Sequence, residues 1–204
     1  MNKFLQVFEE MYPDAECELI HKNTFELLLA VMLSAQTTDK SVNKLTVNLF
    51  KKYHTPQDYL DVTQAELEND LRTIGLYKNK AKSIQKTCSL LINEYGGEVP
   101  NTRTELMKLA GVGRKTANVV LSVGFGVPAI PVDTHVERVS KRLGLALEAD
   151  SVLAVEKKLQ KIIPKKLWNK SHHQFIFFGR YHCTAKKPHC EVCTLTKKCL
   201  YKAL

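Results

Sequence analysis

The chain has 204 residues, 44% of them hydrophobic, enough to bury one large core or two small ones and too apolar for general disorder. Thirty Lys and Arg residues against 21 acids leave a net charge of +9, which points to a polyanionic partner, nucleic acid first. The longest apolar run, Leu27–Leu33, is too short to span a membrane, and the acidic opening Met1–Glu10 predicts no secretory signal.

Helical periodicity runs through the sequence in chain order. Phe25–Ala35 is apolar nearly all round, as in a helix buried at the centre of a bundle. Residues 39–53 place Val42, Leu45, Leu49, Phe50 and Tyr53 on one stripe. Residues 78–95 repeat the pattern through Ala81, Ile84, Cys88, Leu91 and Ile92, and Gly96-Gly97 ends it. Further helices fit 103–109, 114–125, 134–143, 151–162 and 167–182. Strand alternation is absent, so the expected class is all-α. Gly75–Ala81 and Gly111–Ala117 share the pattern Gly, apolar, any, basic, any, any, Ala. That echo predicts two basic turns at helix starts, which could lie side by side.

Charge is unevenly spread. Residues 1–20 hold Glu9, Glu10, Asp14, Glu16 and Glu18 against Lys3, whereas residues 157–170 hold Lys157, Lys158, Lys161, Lys165, Lys166 and Lys170 with no acid. A polyanion is expected to approach the C-terminal part and avoid the first twenty residues.

Cys183, Cys190, Cys193 and Cys199 read C-x6-C-x2-C-x5-C. Four thiols that close together are ligands in search of a metal, either zinc or an iron–sulfur cluster. Cys17 and Cys88 lie far apart in apolar patterns and read as free core thiols. This usage predicts a reduced, cytoplasmic protein.

Leu106–Leu121 reads as two short helices around Gly111-Val112-Gly113. The glycines permit backbone conformations denied to other residues, and the helix beginning near Arg114 offers unpaired amide N–H groups to a phosphate. Leu109, Val112, Ala117 and Val120 would pack the hairpin. Lys115 follows Arg114 at the helix start, where a cationic neighbour and the helix dipole disfavour the ammonium form. It is either a nucleophilic amine or a phosphate-binding lysine. Asp133 precedes Thr134 and Glu137, whose spacing suits a capping box. Either Thr134 caps that helix and leaves Asp133 spare, or Asp133 is itself the cap.

These residues resemble the endonuclease III branch of the helix–hairpin–helix DNA glycosylases. The likeness runs from about residue 20 to 200. It is carried by Leu33–Asp39, Ile74–Tyr77, Gly111–Ala117, Val132–Val136 and the cysteine spacing. It implies a two-domain fold: a six-helix domain over 21–129 containing the helix–hairpin–helix at 106–121, and a discontinuous iron–sulfur cluster domain from 1–20 and 130–204, with its cluster loop at 183–199 and a DNA-binding cleft between the domains. It implies Lys115 as the amine that attacks a damaged nucleotide, Asp133 as the assisting carboxylate, and the four cysteines as ligands of one [4Fe–4S] cluster. Gln36 and Leu76 would fill the hole left by the extruded base, and Gly111, Gly113, Arg114, Lys186 and Lys187 would touch the DNA backbone. The expected activity is excision of oxidised pyrimidines from double-stranded DNA through a lysine Schiff base, followed by nicking 3′ of the abasic site, carried out by a monomer. Adenine-specific relatives lack the hairpin lysine that this chain has. A non-catalytic DNA-binding module, or a glycosylase for pyrimidine dimers or mismatched thymine, is the alternative. His135, His172, His173 and His189 are assigned no catalytic role.

Overall fold

The computed structural model describes residues 2–201. Among the described residues there are ten α-helices and no strand, joined by short 3-10 and π segments. No helix among them is long and apolar enough to cross a membrane. The chain divides into two compact units, Glu18–Val127 and Met1–Cys17 with Pro128–Leu204.

In the Glu18–Val127 unit, α2 (Thr24–Leu33) is capped by Asn23, whose side chain accepts from the Glu26 amide, while the Glu26 carboxylate accepts from the Lys22 amide at 2.7 Å. Every residue from Phe25 to Leu33 is buried, as its all-round apolar character requires. The amphipathic α3 (Asp39–Lys52) packs on α2, and α4 (Gln64–Leu71) packs on α5 (Tyr77–Tyr95). Helix α5 is 19 residues long, a rod of about 28 Å. It stops at Gly96 and Gly97, both left-handed, with the Gly97 amide donating to Leu91 O at 2.9 Å. Helices α6 (Arg103–Leu106) and α7 (Arg114–Val119) complete the unit, α7 running on as a π turn over Val120–Gly124.

The other unit begins with α1 (Lys3–Met11) and continues with α8 (Thr134–Arg142), α9 (Val152–Ile162) and α10 (Trp168–Phe177), the last extended by a π turn over Phe178–His182. Phe4, Phe8, Phe175 and Phe178 form its aromatic core, with Phe8 and Phe175 edge to face at 4.9 Å.

Two helices escape the periodicity reading. Helix α4 opens with a complete capping box between Thr63 and Glu66, a signal present in the sequence. Helix α1 hides its apolar stripe, Phe4, Leu5, Val7 and Phe8, among acids that draw attention to charge instead. Acids inside this unit also change the charge picture. Glu9 pairs with Lys170 at 2.6 Å, and Asp150 pairs with Lys158 at 2.5 Å. Part of the basic run 157–170 is therefore neutralised by the protein itself.

Candidate functional site

The hairpin is built as follows. Helix α6 ends at Leu106, short of the expected 109, and the chain continues through turns closed by Leu109 N to Leu106 O and Val112 N to Leu109 O, each 3.1 Å. Gly111 takes φ 77°, where a side chain would be strained. Gly113 does not: it is extended at φ −88°, ψ 178°, and caps α7. Any residue could adopt that conformation, and a Cβ at Gly113 would meet nothing within 4 Å. No backbone strain or internal packing explains this glycine. Leu109, Val112, Ala117 and Val120 are all buried, and Arg103 Nε donates to Asn118 Oδ1 at 2.8 Å to join α6 to α7. Arg114 and Lys115 form the first turn of α7, both half-buried. Thr87 on α5 donates to Ala110 O at 3.0 Å, and a Cβ at Gly111 would lie 3.1 Å from that of Ser83. The hairpin thus packs on the middle of α5. The two echo segments open their helices differently, since α5 starts after a left-handed Leu76 and α7 after the extended Gly113.

Gln36 and Leu76 stand out for backbone geometry. Among the described residues they alone take positive φ without being glycine, at 54° and 59°. That conformation costs roughly 1–2 kcal/mol per residue, more so for a bulky side chain. Both side chains are exposed, Leu76 at 51%. Gln36 follows the C-terminus of α2, and Leu76 precedes the first turn of α5. Between them runs Lys80. Its side chain is buried, and Nζ donates to Leu33 O at 2.8 Å and to Thr37 Oγ1 at 2.9 Å, bracketing Gln36. Burial pulls its ammonium below the ordinary lysine value. The sequence reading passes over Lys80, although a lysine one turn before Ile84 on an apolar stripe is a detectable anomaly.

Asp133 is the cap of α8. Its Oδ1 accepts from the His135 and Val136 amides, each at 2.9 Å. Thr134 is not the cap, because the helix already starts at Thr134 and the Glu137 amide donates to Asp133 O at 2.9 Å. Glu137 pairs with Lys141 instead. The half-buried carboxylate of Asp133 is thereby fixed in direction. Beside it, burial holds His135 below the ordinary histidine value, and its Nδ1 lies 3.2 Å from Arg138 Nη2. His172 and His173 are buried in α10, and His189 is exposed. Lys115 belongs to one unit and Asp133 to the other.

Cys183, Cys190, Cys193 and Cys199 line one cavity together with Leu143, Phe178, His182 and Tyr201. Burial first, then the neighbouring thiols, push Cys190 above the ordinary cysteine value, and burial likewise raises Cys199. Four sulfurs crowded around one space ionise together only if a cationic centre shares their charge. Among the described residues no three ligating side chains converge on a single ion. Arg142 organises the loop: Nη1 lies 3.3 Å from Cys183 Sγ and 2.7 Å from Thr184 O, Nη2 donates to Ala185 O at 3.0 Å, and the guanidinium stacks on Tyr201 at 3.9 Å. Arg138 adds a bond to Cys183 O at 3.2 Å. The sequence reading missed both arginines. Lys186 and Lys187 project from this braced loop, exposed. Cys88 is a fully buried core thiol pushed up to about 12, while Cys17 is only half-buried.

The all-helical fold and glycine hairpin define a class. Residues 29–165 match the family described as HhH-GPD superfamily base excision DNA repair protein, and the chain belongs to that family. Within it, the chain is similar to Endonuclease III of Bacillus subtilis (strain 168), 61% identical over 190 residues, or 93% of this chain and 87% of that one. A solved non-covalent Endonuclease III–DNA complex matches with TM-score 0.95 and 63% identity over 97% of this chain and 92% of its own. A trapped Endonuclease III–DNA covalent intermediate, an estranged-adenine complex, matches with TM-score 0.94 and 61% identity over 98% and 97%.

Proposed function

We propose that Lys115 is the nucleophile, and Asp133 the assisting carboxylate, of a base excision DNA N-glycosylase that also nicks the abasic site it makes. The observation that carries this reading is Lys115 in the first turn of α7, two residues after a glycine that leaves open ground where a side chain would stand. A phosphate backbone can approach Gly113 closely there, with no side chain of that residue in the way. A relative 61% identical was solved as a trapped covalent intermediate with DNA. An enzyme using water as its nucleophile forms no such bond.

The chemistry follows from an amine nucleophile. Lys115 Nζ attacks C1′ of the extruded nucleotide, and the C1′–N bond breaks with its electron pair leaving on the base, which takes up a proton. Asp133, aimed by its helix cap, stabilises the cationic sugar as the bond breaks. The sugar ring opens to an imine on Nζ. Loss of a C2′ proton then forms C2′=C3′ and expels the 3′ phosphate, and water releases the lysine. Gln36 and Leu76 fill the vacated stack. Gly111, Gly113, Arg114, Lys186 and Lys187 contact the backbone. The substrates are oxidised pyrimidines in double-stranded DNA, the setting a cytoplasmic, nucleoid-associated monomer.

Cys183, Cys190, Cys193 and Cys199 would hold a [4Fe–4S] cluster. Bound there, it would supply a structural anchor for the loop bearing Lys186 and Lys187. We read Glu18–Val127 as the six-helix domain and the other unit as the cluster domain.

The test is borohydride trapping on duplex DNA containing thymine glycol. Wild-type protein should yield a covalent adduct that Lys115→Ala does not. Adduct formation and nicking at wild-type rate in Lys115→Ala would overturn the assignment.

A further inference from the structure

We propose that Lys80 is a positioning residue that couples the two hole-filling side chains, so that Gln36 and Leu76 enter the duplex as one wedge. The proposal rests on the reading of those two residues as hole fillers. A buried ammonium is costly unless hydrogen-bonded, so its placement demands a use. Lys80 Nζ binds Leu33 O and Thr37 Oγ1, at 2.8 and 2.9 Å. Leu33 is the last residue of α2, whose terminal carbonyls lack helical partners and carry the negative end of the dipole. Leu33 and Thr37 flank the left-handed Gln36, so one cation straps both sides of that strained turn. The Lys80 amide meanwhile donates to Leu76 O at 3.0 Å, closing the first turn of α5 on the other left-handed residue. A single residue therefore holds both exposed tips, its side chain one and its backbone the other. Helix α5 also supports the hairpin through Thr87 and Ser83. The base-extruding and phosphate-gripping parts of this unit thus share one rigid rod.

A residue that only stabilises the fold would weaken every activity alike. A positioning residue for the wedge should affect base extrusion and spare the lyase step, which on a preformed abasic site has no base to extrude. Four readouts separate the cases on thymine glycol duplexes: single-turnover base release, fluorescence of a 2-aminopurine beside the lesion, nicking of a preformed abasic site, and thermal melting. Lys80→Met should slow base release about 10-fold or more and reduce the 2-aminopurine rise, while abasic nicking stays within about 3-fold. Lys80→Arg should recover part of the loss. In a Gln36→Ala/Leu76→Ala background, Lys80→Met should cost little more, because the groups it positions are gone. An equal Lys80→Met effect in both backgrounds, or equal loss of base release and abasic nicking, overturns the proposal. If Gln36→Ala and Leu76→Ala themselves leave base release and fluorescence at wild-type level, the hole-filling reading has failed instead. Should Lys80→Met not fold, Thr37→Val removes one end of the strap without touching the lysine, and the same cycle decides.

Discussion

Leu76 offers a test in which stability and activity move apart. At φ 59° and ψ 25° it carries the strain of a left-handed non-glycine residue, about 1–2 kcal/mol. Its side chain is 51% exposed, so truncation forfeits about half of a leucine's burial energy, roughly 1 kcal/mol. Leu76→Ala keeps the strain and loses the burial, and should destabilise by about 1 kcal/mol. Leu76→Gly loses the same burial but sheds the strain, against an unfolded-state entropy term of about 0.5–1 kcal/mol. The glycine variant should therefore be the more stable of the two by about 0.5–1 kcal/mol, or roughly 1–4 °C in melting temperature for a chain of this size. Yet both should lose the wedge equally. If the wedge offsets about 1.5–3 kcal/mol of unstacking, base release falls about 10- to 100-fold in each. Calorimetry and single-turnover excision on one set of proteins check both arms. A glycine variant less stable than the alanine variant would refute the strain argument. Wild-type excision by both would refute the wedge.

Asp133→Asn retains a capping oxygen for the His135 and Val136 amides and should change stability by only a few tenths of a kcal/mol. Base release should nevertheless fall about 100-fold or more, since the charge that stabilises the cationic sugar is gone; a near-wild-type rate would reduce Asp133 to a cap. Gly113→Ala, extended and facing open space, should melt like wild type but bind duplex DNA more weakly, whereas Gly111→Ala should lose stability outright, about 1–2 kcal/mol from φ 77° plus its 3.1 Å approach to Ser83. Identical behaviour of the two variants would contradict the distinction. Lys187→Ala should lower the slope of log affinity against log salt by about 0.9 without changing lesion preference, and an unchanged slope would remove it from the interface.

The helices legible in the sequence are those whose burial is one-sided or total. α2, α3 and α5 announce themselves because Leu28, Leu49 and Ile84 each sit on a sustained apolar face, even though Thr46 in α3 and Lys80 and Thr87 in α5 share it. The site was legible where chemistry is local. Four cysteines in 17 residues and a glycine-flanked Arg-Lys need no tertiary knowledge. What stayed hidden depends on long-range partners. Lys80 meets Leu33 and Thr37 across 47 and 43 residues, and Arg142 meets Cys183 across 41. Spacing rules reach only about a turn along a helix. The choice between Thr134 and Asp133 as cap turned on a one-residue difference in where α8 begins, which propensity does not resolve.

Within the Glu18–Val127 unit, four residues tied to DNA, Gln36, Leu76, Lys80 and Gly113, share a property that Gly111 lacks: none is required by backbone strain or by close packing at its own position. Gln36 and Leu76 hold strained backbones that glycine would relieve, and expose their side chains. Gly113 omits a side chain where there is room for one. Lys80 buries a charge where methionine would fill the same stem volume. All four are supported by α5 or the turns packed on it. Departures from local consistency collect at functional positions, where the gain they bring is realised with a partner rather than in the folded chain alone. On that argument a bound duplex would contribute the missing interactions, and the least stable-looking residues of the unit are the ones DNA binding should protect most.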